Sequence, residues 1–134
     1  MKKNGFSLIE LVVAMGIIGI LAAIAIPAYS AYTKTANRTD ATRTMTSDAQ
    51  ALERCYSQNF SYTVNCNLAA GSAPSVQGYY TITIALAASS YTITATPLKS
   101  PQTQDSACTS FTLNNAGTQG ATGSATTQTC WGST

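Results

Sequence analysis

A run of 23 residues from Leu11 to Thr33 contains no charged side chain, and most of its residues are Leu, Ile, Val, Ala or Gly. About 20 apolar residues are enough to cross the hydrocarbon core of a bilayer as a helix. Lys2 and Lys3 precede the run. The positive-inside rule then predicts that the N-terminus lies in the cytoplasm and that the rest of the chain lies outside. The sequence therefore predicts a membrane-anchored protein whose main part is exported.

The same segment could instead be a secretory signal peptide, cut at the small residues near positions 23–28. Two features argue against this alternative. The basic region before the apolar run is only five residues long. The run itself is longer than the apolar core of a signal peptide, which has about 7–15 residues. We therefore favour an anchor that stays attached to the exported part.

Glu10 is the only charged residue between Gly5 and Lys34. A charged residue at the centre of a membrane helix costs about 2.5–3.5 kcal/mol, so such residues usually have a partner. No basic side chain lies within one helical turn of Glu10 in the sequence. Glu10 either lies at headgroup level without a partner, or it pairs with a positive α-amino group that removal of the N-terminal stub would create.

The segment KKNGFSLIE at positions 2–10 resembles the processing signature of type IV prepilins, and positions 21–29 resemble the family's sequence near the outer edge of the membrane helix. The resemblance implies cleavage after Gly5 by a prepilin peptidase and N-methylation of the new N-terminal Phe6. It implies that Glu10 pairs with the Phe6 amine of a neighbouring subunit. It further implies residence in the inner membrane before assembly, an inner-membrane assembly platform as partner, and an extracellular pilus at the cell surface afterwards.

Three residues within the apolar segment can relax its helix. Gly16 and Gly19 let neighbouring helices approach closely, and they offer backbone that could unwind under packing stress. Pro27 has no N–H and leaves the carbonyl of Ala23 without its helical partner, which kinks a helix. We expect these three positions to give the assembly helix its flexibility.

Apolar residues recur after the membrane segment at spacings of four, four, three and four, which is typical of an amphipathic helix. We therefore predict one helix from about Ser7 to Ser57. Together with this helix, the resemblance implies a leader peptide (1–5), a transmembrane and filament-core helix (6–28) and an exported globular domain (29–134). The apolar stripe is Ala41, Met45, Ala49, Leu52 and Tyr56, and the charged residues expected on other faces are Asp40, Arg43, Asp48, Glu53 and Arg54.

Alternating apolar and polar residues predict two strands, at 79–86 and 91–96, and a third at 110–113. We predict a loop from Phe60 to about Gly78, and an irregular tail at 118–129 because that segment is rich in Gly, Thr, Ala and Ser. The expected fold class is α+β. A long N-terminal helix would pack on a small antiparallel sheet of three or four strands, with a disulfide-closed loop at the C-terminus.

Four cysteines in an exported chain predict disulfides. Three pairings are possible, and we predict that neighbours in sequence pair, giving Cys55–Cys66 and Cys108–Cys130. A zinc site is unexpected because the chain has no histidine and no C-x₂-C pair. We expect no metal and no cofactor.

The composition argues against several functions. Without histidine or a cluster of catalytic side chains, we expect no enzymatic activity and no catalytic residue. Lys99 is the only basic residue after Arg54, so we expect no specific nucleic-acid binding by this subunit. Asp105 is the only acidic residue after Glu53. The chain thus lacks ligands for a calcium loop of the kind found in the commonest type II secretion pseudopilins.

These observations and the resemblance predict a structural subunit of a type IV pilus that forms homo-oligomers or co-polymers with other pilins. The alternatives are a type II secretion pseudopilin and a minor pilin that acts as a binding module displayed on the filament. The sequence leaves open whether the subunit is major or minor. It also leaves open whether the filament serves adhesion, twitching motility or DNA uptake.

Overall fold

The computed structural model describes residues 6–68 and 70–132. The chain divides into two compact units, with the boundary between Thr33 and Lys34. The predicted α+β class is confirmed, and so is the single long N-terminal helix. The elements are α1 (Leu8–Asn59), β1 (Gly71–Pro74), β2 (Tyr80–Leu86), β3 (Tyr91–Pro97), a short 3₁₀ helix (Gln102–Gln104), β4 (Ser110–Asn114), β5 (Gln119–Thr122) and α2 (Thr127–Trp131).

The sheet is an antiparallel meander in which each strand pairs with the next, in the order β1-β2-β3-β4-β5. The expectation of three or four strands was therefore too low. The strand β1 lies inside the segment predicted as a loop at 60–78, and its four residues are all exposed. Because β1 has no buried face, its sequence does not alternate between apolar and polar residues. It is a strand only because it pairs with β2.

The tail at 118–129 was wrongly predicted as irregular. It contains β5 and the first residues of α2. Gly120 lies opposite Thr112 in the sheet, and a side chain at Gly120 would collide with the Thr112 hydroxyl. The close approach of the two strands requires a glycine at this position. Because glycine is unfavourable inside strands, the sequence of this segment does not look like a strand. The Trp131 indole N–H donates to the Gly120 carbonyl at 2.9 Å and so fastens α2 to β5.

The core of the unit that begins at Lys34 lies between α1 and the sheet. Four residues of the predicted stripe, Ala41, Met45, Ala49 and Leu52, belong to one buried cluster with inward-facing residues of β2 and β3, and the partly buried Tyr56 packs against it. Successive side chains of a strand point to opposite faces, so every second residue of β2 and β3 is buried. The largest side chains without measurable exposure are Tyr80, Phe111, Met45, Leu52 and Ile93.

Both predicted disulfides are present. Cys55–Cys66 joins the last turn of α1 to the following loop, with Cα atoms 5.5 Å apart. Cys108–Cys130 joins the segment before β4 to α2, with Cα atoms 5.7 Å apart. On the chain-entropy view, each cross-link stabilises the fold by about 3 kcal/mol.

Asp40 lies outside the apolar stripe, yet it is only 4% exposed. Its carboxylate accepts hydrogen bonds from the Ser75 hydroxyl and from the backbone N–H groups of Gln77 (2.9 Å) and Tyr79 (3.3 Å). Three donors satisfy the buried charge, as buried charges require. Asp40 thereby holds the connection between β1 and β2 against α1.

A buried ion pair joins α1 to the connection before β4. The Arg38 guanidinium donates from Nε (2.7 Å) and Nη2 (2.9 Å) to the two carboxylate oxygens of Asp105. Burial by itself would raise the pKa of Asp105, but the hydrogen bonds and the charge of Arg38 lower it below its ordinary value. The pKa of Arg38 is raised by the same hydrogen bonds. The fully buried Gln102 lies in the same connection and donates to the backbone carbonyl of Lys34 at 3.1 Å.

Candidate assembly site

The first part of α1 is apolar on all sides and exposed. An 18-residue window of this part has a mean hydropathy of 2.7, and none of it is buried. By length and composition alone, α1 could cross a membrane. Large apolar residues covering the whole circumference of a helix require lipid or other protein around them. Those at least 50% exposed include Leu8, Ile9, Leu11, Val12, Val13, Met15, Ile17, Ile18, Ile20, Leu21, Ile24 and Ile26.

Glu10 caps the start of its own helix. The Ser7 carbonyl accepts the first helical hydrogen bond, from the Leu11 N–H at 3.2 Å. The Glu10 carboxylate accepts from the Ser7 backbone N–H at 3.0 Å. This is the bond that the third helical residue makes in a capping box. The negative charge of Glu10 at this end also complements the helix dipole.

This capping contact was missed by the sequence analysis, although Ser7-Leu8-Ile9-Glu10 carries the S-x-x-E signature before an apolar run. Neither the headgroup interpretation nor the amine-pairing interpretation of Glu10 included a backbone partner. Both partners of the contact, the Ser7 amide N–H and the Glu10 carboxylate, belong to residues after position 6.

The other predicted site residues lie around and along this helix end. Phe6 is 86% exposed, and it forms an open apolar surface beside Glu10 together with Ile9, Val13 and Ile17. Gly5 lies outside the described residues.

The predicted flexible positions of the assembly helix lie within α1. A Cβ atom at Gly16 or Gly19 would have no neighbour within 4 Å, so both positions leave the backbone open to an approaching helix. Pro27 lies inside α1, which continues through it from Leu8 to Asn59.

Metal and thiol chemistry have no candidate site in the described part of the chain. Within residues 6–68 and 70–132, no group of three or more His, Cys, Asp or Glu side chains could hold a metal ion. All four cysteines are in disulfides. The chemistry available at the first part of α1 is therefore that of apolar packing around one carboxylate.

Two protein-family descriptions match the sequence, and together they cover most of it. Residues 1–26 match the prokaryotic N-terminal methylation motif. Residues 27–112 match the family described as "Type IV minor pilin ComP, DNA uptake sequence receptor".

Curated relatives are fimbrial and pilin proteins. The chain is 38% identical over 96 residues to the fimbrial protein EcpC of Eikenella corrodens, covering 70% of this chain and 62% of that protein. It is 50% identical over 54 residues to the prepilin peptidase-dependent protein D of Escherichia coli, covering 40% of this chain and 37% of that protein. The chain thus spans less than two thirds of the length of these relatives.

A solved structure shares the fold. The non-core minor pilin PilV of Neisseria meningitidis is 21% identical and superposes with a TM-score of 0.52, covering 69% of this chain and 89% of that one. Its likeness supports the fold alone. Since the matched family description spans residues 27–112, well over half of the sequence, and the methylation motif precedes it, this chain belongs to the type IV pilin family of the ComP minor-pilin type.

Proposed function

We propose that the protein is a structural subunit of a type IV pilus that polymerises through the first part of α1. The observation that carries this proposal is the exposure of the apolar first part of α1. None of its most apolar 18 residues is buried within the subunit. Lipid covers such a surface while the subunit waits in the inner membrane. The corresponding helices of neighbouring subunits cover it in a filament, so one segment serves as anchor and as assembly element.

Processing prepares this helix. In our proposal residues 1–5 are a leader, residues 6–28 form the transmembrane and assembly segment, and residues 29–134 form the exported domain. A prepilin peptidase cleaves after Gly5, and the new N-terminal Phe6 is N-methylated. The match of residues 1–26 to the methylation motif supports both steps. Gly16, Gly19 and Pro27 supply the flexibility that repacking from lipid into a filament core requires.

Glu10 selects the register in which subunits dock. In the isolated subunit its carboxylate lies at the exposed helix start and caps α1. In a filament core, the same carboxylate would be withdrawn from water, where an unpaired charge costs several kcal/mol. The Phe6 amine of a neighbouring subunit neutralises it only at one axial offset. Correct docking is favoured, because any other offset leaves two buried charges without partners.

A receptor role in DNA uptake is the second candidate function, because the matched family carries that description. In residues 34–68 and 70–132, Arg38 is buried against Asp105, and Lys34 donates to the Gln104 carbonyl. The cations left for phosphate contacts are Lys34, whose ammonium keeps its charge and two further donors, and Arg43, Arg54 and Lys99. With four phosphate contacts, log K for DNA should fall with log salt at a slope of about −3.6. A steeper slope in a binding titration would show that other groups bind the phosphates.

Intact mass and N-terminal sequencing of filaments sheared from the cell surface test the pilus proposal. We expect a subunit that starts at Phe6 and carries one extra methyl group. Gly5→Val should leave the precursor in the membrane, because a side chain obstructs the cleavage position. Absence of the chain from sheared filaments, or a mature start near Ala28, would contradict the proposal.

A further inference from the structure

One acidic side chain has no partner among the described residues of the unit that begins at Lys34. Among the described residues from 34 onward, Asp40 and Asp105 are satisfied as described above, and Glu53 accepts from the Tyr62 hydroxyl at 3.0 Å. Asp48 has neither a hydrogen bond nor an ion pair within this part of the chain. The chain has only five acidic residues. Asp48 is nevertheless left without a partner among the described residues, although it is partly buried.

Asp48 lies between two cavities of about 370 and about 300 Å³, both of which it lines together with Thr44. We call the larger cavity the Asp48 cleft. Among its described lining residues Asp48 is the only charged one, whereas Asp40 and Arg43 also line the smaller cavity. The larger cavity runs between α1 and the sheet, with Leu68, Ile82 and Ile84 among its apolar walls. Burial raises the pKa of Asp48. A carboxylate partly withdrawn from water without a partner is unfavourable, so the cleft favours a cation whose stem is apolar.

The same unit carries three cations without a partner in its described residues: Arg43, Arg54 and Lys99. Helical filaments are built from heterologous contacts, in which two different patches of the subunit meet. Arg43 lines the smaller cavity beside Asp48, and Arg54 lies on the same helix. Lys99 lines neither cavity. It lies between β3 and the 3₁₀ helix, with its ammonium beside Gly78 and outside the Asp48 cleft.

Lys99 also has the chemistry that the cleft requires. It is exposed, and its neighbour Leu98 is 47% exposed. The pair therefore presents an ammonium on a four-carbon stem next to an apolar side chain. This matches the Asp48 cleft, whose described lining holds one carboxylate beside the apolar side chains of Leu68, Ile82 and Ile84. Both the charge and the apolar surface of the two patches are complementary.

We propose that Lys99 of one subunit enters the Asp48 cleft of a neighbouring copy in the filament, an inference that rests on the proposed pilus function. The contact joins globular units, and it acts in addition to the packing of the apolar helices.

Carbodiimide treatment of native sheared filaments tests the contact directly. The reagent joins a carboxylate and a primary amine that touch, and it takes up the water lost as the amide forms. We expect a band at twice the subunit mass, with a cross-linked peptide that joins Asp48 to Lys99. Lys99→Arg is the matched control, because it keeps the charge but offers no primary amine. It should retain filaments and lose the cross-link.

A charge exchange provides the second test. Asp48→Lys alone and Lys99→Asp alone should each lower the yield of sheared filaments several-fold, and the double variant should restore it. Arg54→Asp removes another unpaired cation and should leave the yield unchanged. Circular dichroism of each purified subunit checks that it folds.

The outcomes separate the two proposals. If the wild-type chain is absent from filaments, the pilus proposal itself fails. If wild-type filaments contain the chain and both single variants match them in yield, only the Asp48–Lys99 contact is overturned. A cross-link from Asp48 to a lysine of another pilin would likewise overturn the assignment to a second copy.

Discussion

The two halves of α1 belong to one helix but differ in where their apolar residues are directed. Before Thr33, apolar residues cover the whole circumference, and Glu10 is the only charge. After Lys34, apolar residues keep to one stripe, and that stripe is buried against the sheet. A helix that is apolar all round needs a partner outside the subunit, whereas an amphipathic helix finds its partner within the fold. Assembly and folding can therefore be disrupted separately.

The largest effect should come from Leu52→Asp in the second half of α1. Leu52 has no exposed surface, so the new carboxylate would be buried without a partner, at a cost of several kcal/mol. That cost is comparable to the whole stability of a domain, about 5–15 kcal/mol. We expect residues 29–134, produced without the anchor, to unfold with this substitution. Circular dichroism during heating measures the unfolding of the variant, and Gln50→Asp at an exposed position of α1 is the control.

If the Leu52→Asp variant unfolded cooperatively at a temperature close to the wild-type Tm, the expectation would be contradicted.

Asp105→Asn should have the next largest effect, because it leaves the Arg38 charge buried without its partner. Removing one member of a buried pair costs about 3–5 kcal/mol. The pKa of Asp105 is lowered in the fold, so its contribution is present above the unfolded pKa and is lost as the pH falls through the folded value. Variant and wild type should thus differ at pH 7 and converge in acid. A difference of the same size in acid would rule out the ion pair as its source.

Glu10→Gln should affect assembly and leave folding unchanged. A glutamine can still accept from the Ser7 N–H, since capping boxes use Glu or Gln, but it has no charge for the Phe6 amine. We expect cleavage and membrane residence as in the wild type, with at least about tenfold fewer filaments, which corresponds to 1.4 kcal/mol. Electron microscopy at native expression levels counts them.

Comparison with Glu10→Ala separates the two roles of Glu10. Alanine removes both the cap and the charge. If capping alone mattered, Glu10→Gln would assemble normally and only Glu10→Ala would fail. If both variants assembled normally, the pairing of Glu10 in the filament would be excluded.

The parts of the fold that were predicted from sequence have a periodic pattern. The stripe from Ala41 to Tyr56 and the alternation in β2 and β3 follow from one buried face, so each segment shows its own structure. The strands β1 and β5 lack such a pattern, because their residues are small and face outward or lie beside a close strand. Pairing with a neighbouring strand defines them, and a single segment of sequence does not contain that information.

The buried charges could not be predicted for a related reason. Arg38 and Asp105 are 67 residues apart in the chain, and only the folded arrangement brings them together. Asp48 and Asp40 look alike in sequence, two turns apart on one helix. Asp40 meets three donors from the connection between β1 and β2, and Asp48 meets none in the described residues. The local contact of Glu10 with Ser7, by contrast, follows a short motif and was predictable.

The smallest effect should come from Asp48→Asn, and its sign should be opposite to that of Asp105→Asn. The pKa of Asp48 is raised by burial, so its contribution to stability is present below the unfolded pKa and is lost as the pH rises through the folded value. Asparagine avoids that loss. We expect the variant to be more stable at pH 7 and so to unfold at a higher temperature. The gain in free energy of unfolding should be less than about 1 kcal/mol, because the site is partly solvated. The gain should vanish in acid, where the wild-type carboxyl is also neutral.

Two measurements on Asp48→Asn then distinguish the roles of this residue. Thermal unfolding of the subunit reports the cost of the unpaired carboxylate within one copy. Filament yield reports its contact with another copy. A residue that matters only for folding would change both in the same direction. If Asp48 instead binds a cation of a neighbouring subunit, Asp48→Asn should give a more stable subunit and fewer filaments. A destabilised subunit at pH 7 would show that Asp48 has a partner inside its own fold, and the filament contact would lose its basis.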